Sequence, residues 1–256
     1  MVFATFIFGL VIGSFLNVCI WRIPRNESVV YKGSHCTACG ASIRPYDLIP
    51  VISFLILRGK CRACGSSISP RYPLIELLTA ALFSLMALKL GLNSSSLFFM
   101  IMTSIMIAVA FVDFDFQIVP DGLIYALGAA GLAYVVTVLL PRSGVSALLD
   151  AAIGFLLGGV LFFAAAVVSK GGMGGGDIKL AAVLGLWFGW KSLLLLMLLS
   201  FVSAAIVSVF LLLTKRKSRK DGVPFAPFIA FSAYITPMLG RELINWYLTT
   251  INLMFS

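Results

Sequence analysis

Apolar residues are gathered in this chain into long blocks, at Val2–Ile20, Pro73–Leu90, Leu97–Val112, Leu123–Leu140, Ala147–Val168, Ser192–Thr214 and Pro224–Leu248. A helix needs roughly 20 apolar residues to cross the ~30 Å hydrocarbon layer, so each block predicts a transmembrane helix. An eighth block, Ile178–Trp190, is short. The pattern predicts an all-α polytopic membrane protein of about eight transmembrane helices. It divides into a first transmembrane helix at 1–20, one long polar insertion at 21–72 and a transmembrane domain at 73–256. The first block lacks a basic leader and runs into Asn17, so it reads as a membrane helix and not as a cleaved signal peptide.

The composition agrees, with mean hydropathy +1.06, 61% hydrophobic residues and only 11% charged. Lys and Arg crowd two segments: Arg22, Arg25, Lys32, Arg44, Arg58, Lys60, Arg62 and Arg71 in the first, and Lys215, Arg216, Lys217, Arg219 and Lys220 in the second. The positive-inside rule places both on the cytoplasmic side. Alternation leaves Lys89, Arg142, Lys191 and Arg241 near the opposite face, and an eight-helix chain then has both termini outside the cytoplasm. The net charge of +9 is thus explained by topology and anionic lipid, with no nucleic-acid partner implied.

The insertion contains Cys36-x-x-Cys39 and Cys61-x-x-Cys64. Each C-x-x-C turn offers two thiolates to one tetrahedral ion, and two such turns make a four-sulfur structural zinc site. Disulfides would need an oxidising compartment, whereas the charge pattern places these thiols in the cytoplasm. His35 adjoins Cys36, but four sulfurs already fill a tetrahedral site. Cys19 lies in the first apolar block, as expected of core packing.

Carboxylates are scarce, ten in all, and Asp113, Asp115 and Asp121 cluster at the end of one block. Asp177 follows the tract Gly171-Gly-Met-Gly-Gly-Gly176 and opens the short block. Ionisable groups at the membrane boundary are costly unless they are paired or face water, which makes them functional candidates. Two carboxylates sharing one proton can act as base and acid on a water molecule. On a helix Asp113 and Asp115 stand about 200° apart, so only one of them can face a given partner.

Helix capping is the simpler role for Asp121, which follows Pro120, and it would also suit Asp177. Capping does not account for a glycine tract at membrane depth, where irregular backbone requires protein or a hydrated cavity around it. The short helix after Asp177 rises only ~20 Å, so the carboxylate is expected to be recessed. A phosphate-cradling loop is a poor match, because no strand precedes the tract and Lys179 does not have Walker spacing.

Taken in order, these residues resemble the bacterial type IV prepilin peptidases, membrane aspartic proteases with a Gly-x-Gly-Asp motif. The resemblance covers essentially the whole chain. It runs through Gly13-Ser-Phe-Leu-Asn17-Val, Arg22-Ile-Pro-Arg25, His35-Cys36-x-x-Cys39, Tyr46-Asp47-Leu-Ile-Pro50 and Arg58-Gly-Lys-Cys61-Arg-x-Cys64. It continues through Ser69-Pro-Arg71-Tyr-Pro-Leu-Ile-Glu76, the Asp113–Asp121 stretch, Gly174-Gly-Gly176-Asp177-Ile-Lys179 and Pro224-Phe-x-Pro227-Phe.

The resemblance implies cleavage of the basic leader from type IV prepilins or pseudopilin precursors at the cytoplasmic face of the bacterial inner membrane. It further implies methylation of the new N-terminal amine from S-adenosylmethionine. The peptidase dyad would be Asp113 and Asp177, supported by Gly174, Gly176 and Pro120. Methyl transfer would belong with residues 21–72, at positions the sequence does not identify, and Glu76 is a partly buried acid beside that segment, within reach of Arg71. Some members lack the four cysteines, which assigns zinc to folding of the insertion. Two other classes share parts of the pattern: Gly-x-Gly-Asp intramembrane proteases of the presenilin type, and zinc- or proton-coupled transporters. The four-cysteine insertion speaks against the former and the lack of inverted repeats against the latter.

Overall fold

A computed structural model describes residues 1–31, 33–169, 173–216 and 222–255. Lys32, Gly171, Lys217, Arg219 and Lys220 of the sequence reading lie outside the described residues. The described chain is helical, and its only β pairing is two isolated bridges, His35–Ser42 and Lys60–Ser67. It divides into two compact units, Met1–Ser96 and Leu97–Ser256.

In the first unit, helices α1 (Val2–Arg22) and α3 (Arg71–Leu90) pack side by side, with the short α2 (Ile52–Ile56) in the polar segment between them. Their backbones approach closely because Gly9 and Gly13, one helical turn apart on α1, carry no side chain. A Cβ at Gly9 would lie 2.5 Å from Ala80 Cα, and one at Gly13 would lie 2.6 Å from Glu76 Cα. Lipid is as apolar as leucine, so such close small-residue packing is what drives helix association in a membrane. Asn17 Nδ2, buried beside this seam, donates to the carbonyls of Gly13 at 3.2 Å and Tyr72 at 3.1 Å. Cys19 is buried, as expected of core packing.

The second unit is built from most of α4 (Ser94–Phe116), α5 (Asp121–Tyr134), α6 (Leu140–Ser143), α7 (Val145–Val168), α8 (Gly175–Leu213) and α9 (Ala226–Phe255). A π turn at Val135–Leu139 joins α5 to α6. Helices α7 and α8 approach as closely as α1 and α3 do: a Cβ at Gly154 would lie 2.2 Å from the carbonyl oxygen of Gly185. Trp187 of α8 donates to the carbonyl of Leu127 in α5 at 3.0 Å and stacks on Tyr134, fixing the register of those two helices.

All eight apolar blocks fall on helices. The blocks at 178–190 and 192–214 both lie within α8, which is broken at Gly189: its φ of 65° and ψ of 175° are not helical, so the two blocks remain two helical segments. Glycine suits that position twice over, since a Cβ there would also meet Asp150 Oδ2 at 2.2 Å. Six helices among the described residues are long and apolar enough to span a membrane, and α9 is not one of them. Their outward faces are apolar, for example Leu156, Phe163 and Ile206, as a lipid environment requires and water would penalise.

Candidate active site and metal centre

The cysteine segment is built from one motif used twice. In Cys36-Thr-Ala-Cys39-Gly40-Ala-Ser42-Ile43 the amide of Gly40 donates to Cys36 O and that of Cys36 to Ala41 O, both at 2.9 Å. In Cys61-Arg-Ala-Cys64-Gly65-Ser-Ser67-Ile68 the amide of Gly65 donates to Cys61 O at 2.9 Å and that of Cys61 to Ser66 O at 2.8 Å. Gly40 and Gly65 both have φ of 72°, the left-handed conformation that closes each knuckle. The sequence reading noted the paired cysteines but not this longer repeat, which is visible in the flanking Gly, Ser and Ile.

The four sulfurs lie within 4.8 Å of one another, and among the described residues no other ligand type joins the group. Cys36 Sγ and Cys64 Sγ are 3.9 Å apart, far beyond a disulfide of about 2.05 Å. Four sulfurs each about 2.3 Å from a central zinc would have edges of roughly 3.8 Å, so the spacing fits a tetrahedral ion. The protonation chemistry fits as well. The amides of Cys39 and Ala38 bring the Cys36 thiol down to about 6, and the Ser66 hydroxyl lowers Cys64. Cys39 goes the other way, to about 11: the Ala41 amide favours its thiolate, but the sulfurs of Cys64 and Cys36 beside it outweigh that amide. A set of thiols that cannot all ionise together is what a divalent cation relieves. His35 stays apart, its Nδ1 3.2 Å from Gly33 O.

Around the knuckles, Arg62 grips Asp47 through two hydrogen bonds, Nε to Oδ2 at 2.9 Å and Nη2 to Oδ1 at 2.7 Å. That fork holds the Asp47 carboxyl below its ordinary range. Glu76 of α3 is buried, and its Oε2 accepts the amide of Val51 at 2.7 Å. Val51 has φ of 61°, a strained value for a β-branched residue, so the carboxylate holds the head of α2 in place. The sequence offered Arg71 as Glu76's partner and gave no sign of Val51.

The second constellation belongs to the other unit. Asp113 stands in the last turn of α4 and is buried at 6% exposure, whereas Asp115 on the other face is exposed. The two carboxylates thus face different surroundings, as their ~200° separation on the helix requires. Helix α4 stops at Gln117, whose left-handed φ of 55° lets its amide bond back to Asp113 O at 2.8 Å. The chain then runs extended to Pro120, which is itself the N-cap of α5. Asp121 is therefore not the cap that the sequence suggested. It is the first helical residue, and its Oδ1 takes Lys179 Nζ at 2.8 Å in an exposed ion pair. Pro120 is extended, with ψ of 129°, and the helix begins at the residue after it, so the capping position falls one residue earlier than the sequence suggests.

Asp177 is held in the first turn of α8, its amide bonding back to Gly174 O at 3.1 Å. Its Oδ2 accepts the amide of Gly174, the N-cap, at 3.3 Å. Gly176 makes the approach to the α4–α5 connection possible, since a Cβ there would lie only 2.8 Å from Val119 Cβ. Gly174 has no comparable constraint on space, its nearest neighbour being the Asp177 carboxylate itself. Asp177 is buried at 8% exposure, close enough to Asp113 for the two charges to repel. Asp113 Oδ2 accepts the amide of Ala226, from the head of α9, at 3.0 Å. Among the described residues, Asp177 Oδ1 is buried and has no hydrogen-bond partner. The sequence reading placed both aspartates but missed Val119 and Ala226, and the Pro224-Phe-x-Pro227-Phe motif was the only signal pointing to the latter.

Comparison with known proteins matches residues 7–90 to the bacterial peptidase A24 N-terminal domain and residues 100–209 to the type IV leader peptidase family. A protein of Aeromonas salmonicida (strain A449) named prepilin leader peptidase/N-methyltransferase is 34% identical, the match covering 96% of this chain and 93% of that protein. A protein of the same name in Bacillus subtilis (strain 168) is 36% identical, covering 95% of this chain and 96% of its own length. Another in Pseudomonas aeruginosa is 34% identical, with coverage of 96% and 93%. No solved structure matches. Two family domains in series and full-length likeness to these relatives place the chain in the type IV leader peptidase family, with its bacterial N-terminal domain ahead of the peptidase domain.

Proposed function

We propose that this protein cleaves the leader from type IV prepilins or pseudopilin precursors with Asp113 and Asp177, and then methylates the new N-terminal amine. The observation that carries the peptidase half is the burial of two carboxylates, 64 positions apart in sequence, one at the end of α4 and one at the start of α8, near enough for their charges to repel, with one oxygen left unpartnered among the described residues. Two buried carboxylates that repel each other are relieved by holding one proton between them. The ionised member takes a proton from water as its oxygen adds to the scissile carbonyl carbon, and the protonated member gives its proton to the carbonyl oxygen. When the tetrahedral species collapses, the C–N bond breaks. The leaving nitrogen takes the proton from the first carboxyl, and the second recovers one from the hydroxyl as the carbonyl reforms. One water is consumed, and both carboxyls end in the protonation states in which they began.

Methyl transfer needs S-adenosylmethionine as donor and a neutral amine as acceptor, and that amine exists only after the cut, so hydrolysis comes first. We assign this activity to residues 21–72 with the flanking helices, where Cys36, Cys39, Cys61 and Cys64 would hold zinc as a folding element. The basic insertion lies on the cytoplasmic side of the inner membrane in this reading. The precursor's apolar helix enters alongside the membrane helices, from lipid. The test is to incubate purified protein in detergent with a prepilin and sequence the product's N-terminus. The expected product starts just after the leader and carries a methyl group only when S-adenosylmethionine is present. An intact precursor would refute the peptidase reading, and an unmethylated product at saturating donor would leave a peptidase alone.

A further inference from the structure

The Pro224–Phe228 motif has no part in the reaction as written above, yet it supplies the direct hydrogen bond to Asp113. Helix α9 begins at Ala226, with Phe225 before it accepting the amide of Phe228 at 3.0 Å. The first amides of any helix have no partner within that helix. Here the amide of Ala226, a residue with 0% exposure, is spent on Asp113 Oδ2 at 3.0 Å, 113 positions away in sequence. Pro227 follows at a position where a missing amide costs nothing.

Asp177 is treated differently. It receives one longer bond, 3.3 Å from Gly174 N, and its Oδ1 is buried with no partner among the described residues. A buried oxygen without a donor is costly when it carries charge and is relieved by a proton. Amides that can only donate, reinforced by the positive end of a helix, stabilise an anion. The helix ends alone would favour charge on Asp177, which opens α8, over Asp113, which closes α4; the direct donors favour the reverse, with the shorter bond on Asp113 and an orphaned oxygen on Asp177.

We infer that the backbone at the head of α9 is a positioning element of the peptidase site: the Ala226 amide holds Asp113 as the ionised base, leaving the shared proton on Asp177 Oδ1 as the acid that protonates the scissile carbonyl. The inference rests on the dyad reading above and adds to it an order of roles and a third structural participant. It also gives the motif a chemical reason, since a helix must start at this point, with its first amide free.

The test removes one N–H and little else. Ala226 is replaced in the full-length protein by its α-hydroxy analogue, which turns the Phe225–Ala226 amide into an ester, and separately by Ala226→Pro, which also removes the N–H at a first helical position but adds a ring at a buried site, so the ester is the deciding variant. Losing a hydrogen bond to a buried charge should lower kcat for leader cleavage by roughly ten- to a hundred-fold, with KM changed by less than about three-fold. Methylation of a substrate supplied already cleaved should stay at the wild-type rate in both variants. The inference is overturned if the ester protein cleaves within about two-fold of wild type, or if cleavage and methylation fall together, since a damaged fold would lower both. Asp113→Asn run in parallel separates the two claims. An inactive Asp113→Asn beside a fully active ester protein sinks only the role of Ala226, whereas an active Asp113→Asn sinks the dyad itself.

Discussion

The two constellations in this molecule are built in opposite ways. The cysteine centre is local: all four sulfurs come from residues 36–64, and each pair is set by a knuckle whose hydrogen bonds span only a few residues. The carboxylate centre is global, with Asp113 from the end of α4, Asp177 from the start of α8 and a supporting amide from the head of α9. A local site can fold around its ion with little help from the rest of the chain. A global one exists only if several helices are held in register, and here that falls to the α7–α8 seam at Gly154 and Gly185 and the Trp187 bond to α5. Damage to the first should therefore be chemical and reversible, and damage to the second geometric.

The sharpest way to break the comparison is at the dyad. Asp113→Asn or Asp177→Asn should abolish leader cleavage while leaving the protein inserted and folded, because Asn keeps the shape but cannot share the proton. Precursor processing followed on gels, with a thermal melt as control, checks this. Asp115→Asn and Asp121→Asn should keep substantial activity. If Asp115→Asn were inactive and Asp113→Asn active, the catalytic face of α4 would have been chosen wrongly.

A smaller and more diagnostic effect is expected at Gly176. Its missing Cβ leaves room for Val119, so Gly176→Ala should cut the cleavage rate by roughly ten-fold or more, a displacement of even 1 Å being enough to disturb such geometry. Val119→Ala should restore part of it. Kinetics on the single and double variants decide the matter, and a double variant no better than Gly176→Ala would show that Val119 is not the obstacle.

At the cysteine centre, serine at Cys36, Cys39, Cys61 or Cys64 should lower zinc content and loosen the insertion, with methylation suffering more than cleavage. Elemental analysis of wild-type protein that finds no zinc would end that claim. The smallest effect belongs to the exposed Lys179–Asp121 pair. Solvent screens it, so Lys179→Ala should change cleavage by no more than about two-fold, and a large loss would mean the pair orients α8.

What the sequence disclosed follows the same division. Blocks of apolar residues located the helices, and C-x-x-C spacing located the cluster of four cysteines that could hold a metal ion, since both signals act over short range. The wheel separation of Asp113 from Asp115 was legible for the same reason. Pairing Asp113 with Asp177 was not, and came through family resemblance, because no local pattern says which helix ends meet. The Ala226 amide, the Val119 contact and the Val51 bond to Glu76 were invisible for a further reason. Backbone groups and missing side chains leave no chemical mark at their own positions. Asp121 shows the remaining error, where the capping preference pointed one residue past the N-cap, which is the extended Pro120.

The most direct test of two separable centres uses one variant and two substrates. Asp177→Asn protein is given S-adenosylmethionine with either an intact prepilin or the same pilin supplied already cleaved, and both products are weighed by intact mass spectrometry. Separate centres predict that the intact precursor is recovered unchanged while the cleaved pilin gains one methyl group. A processed precursor, or a cleaved pilin left unmethylated by folded protein, would contradict it.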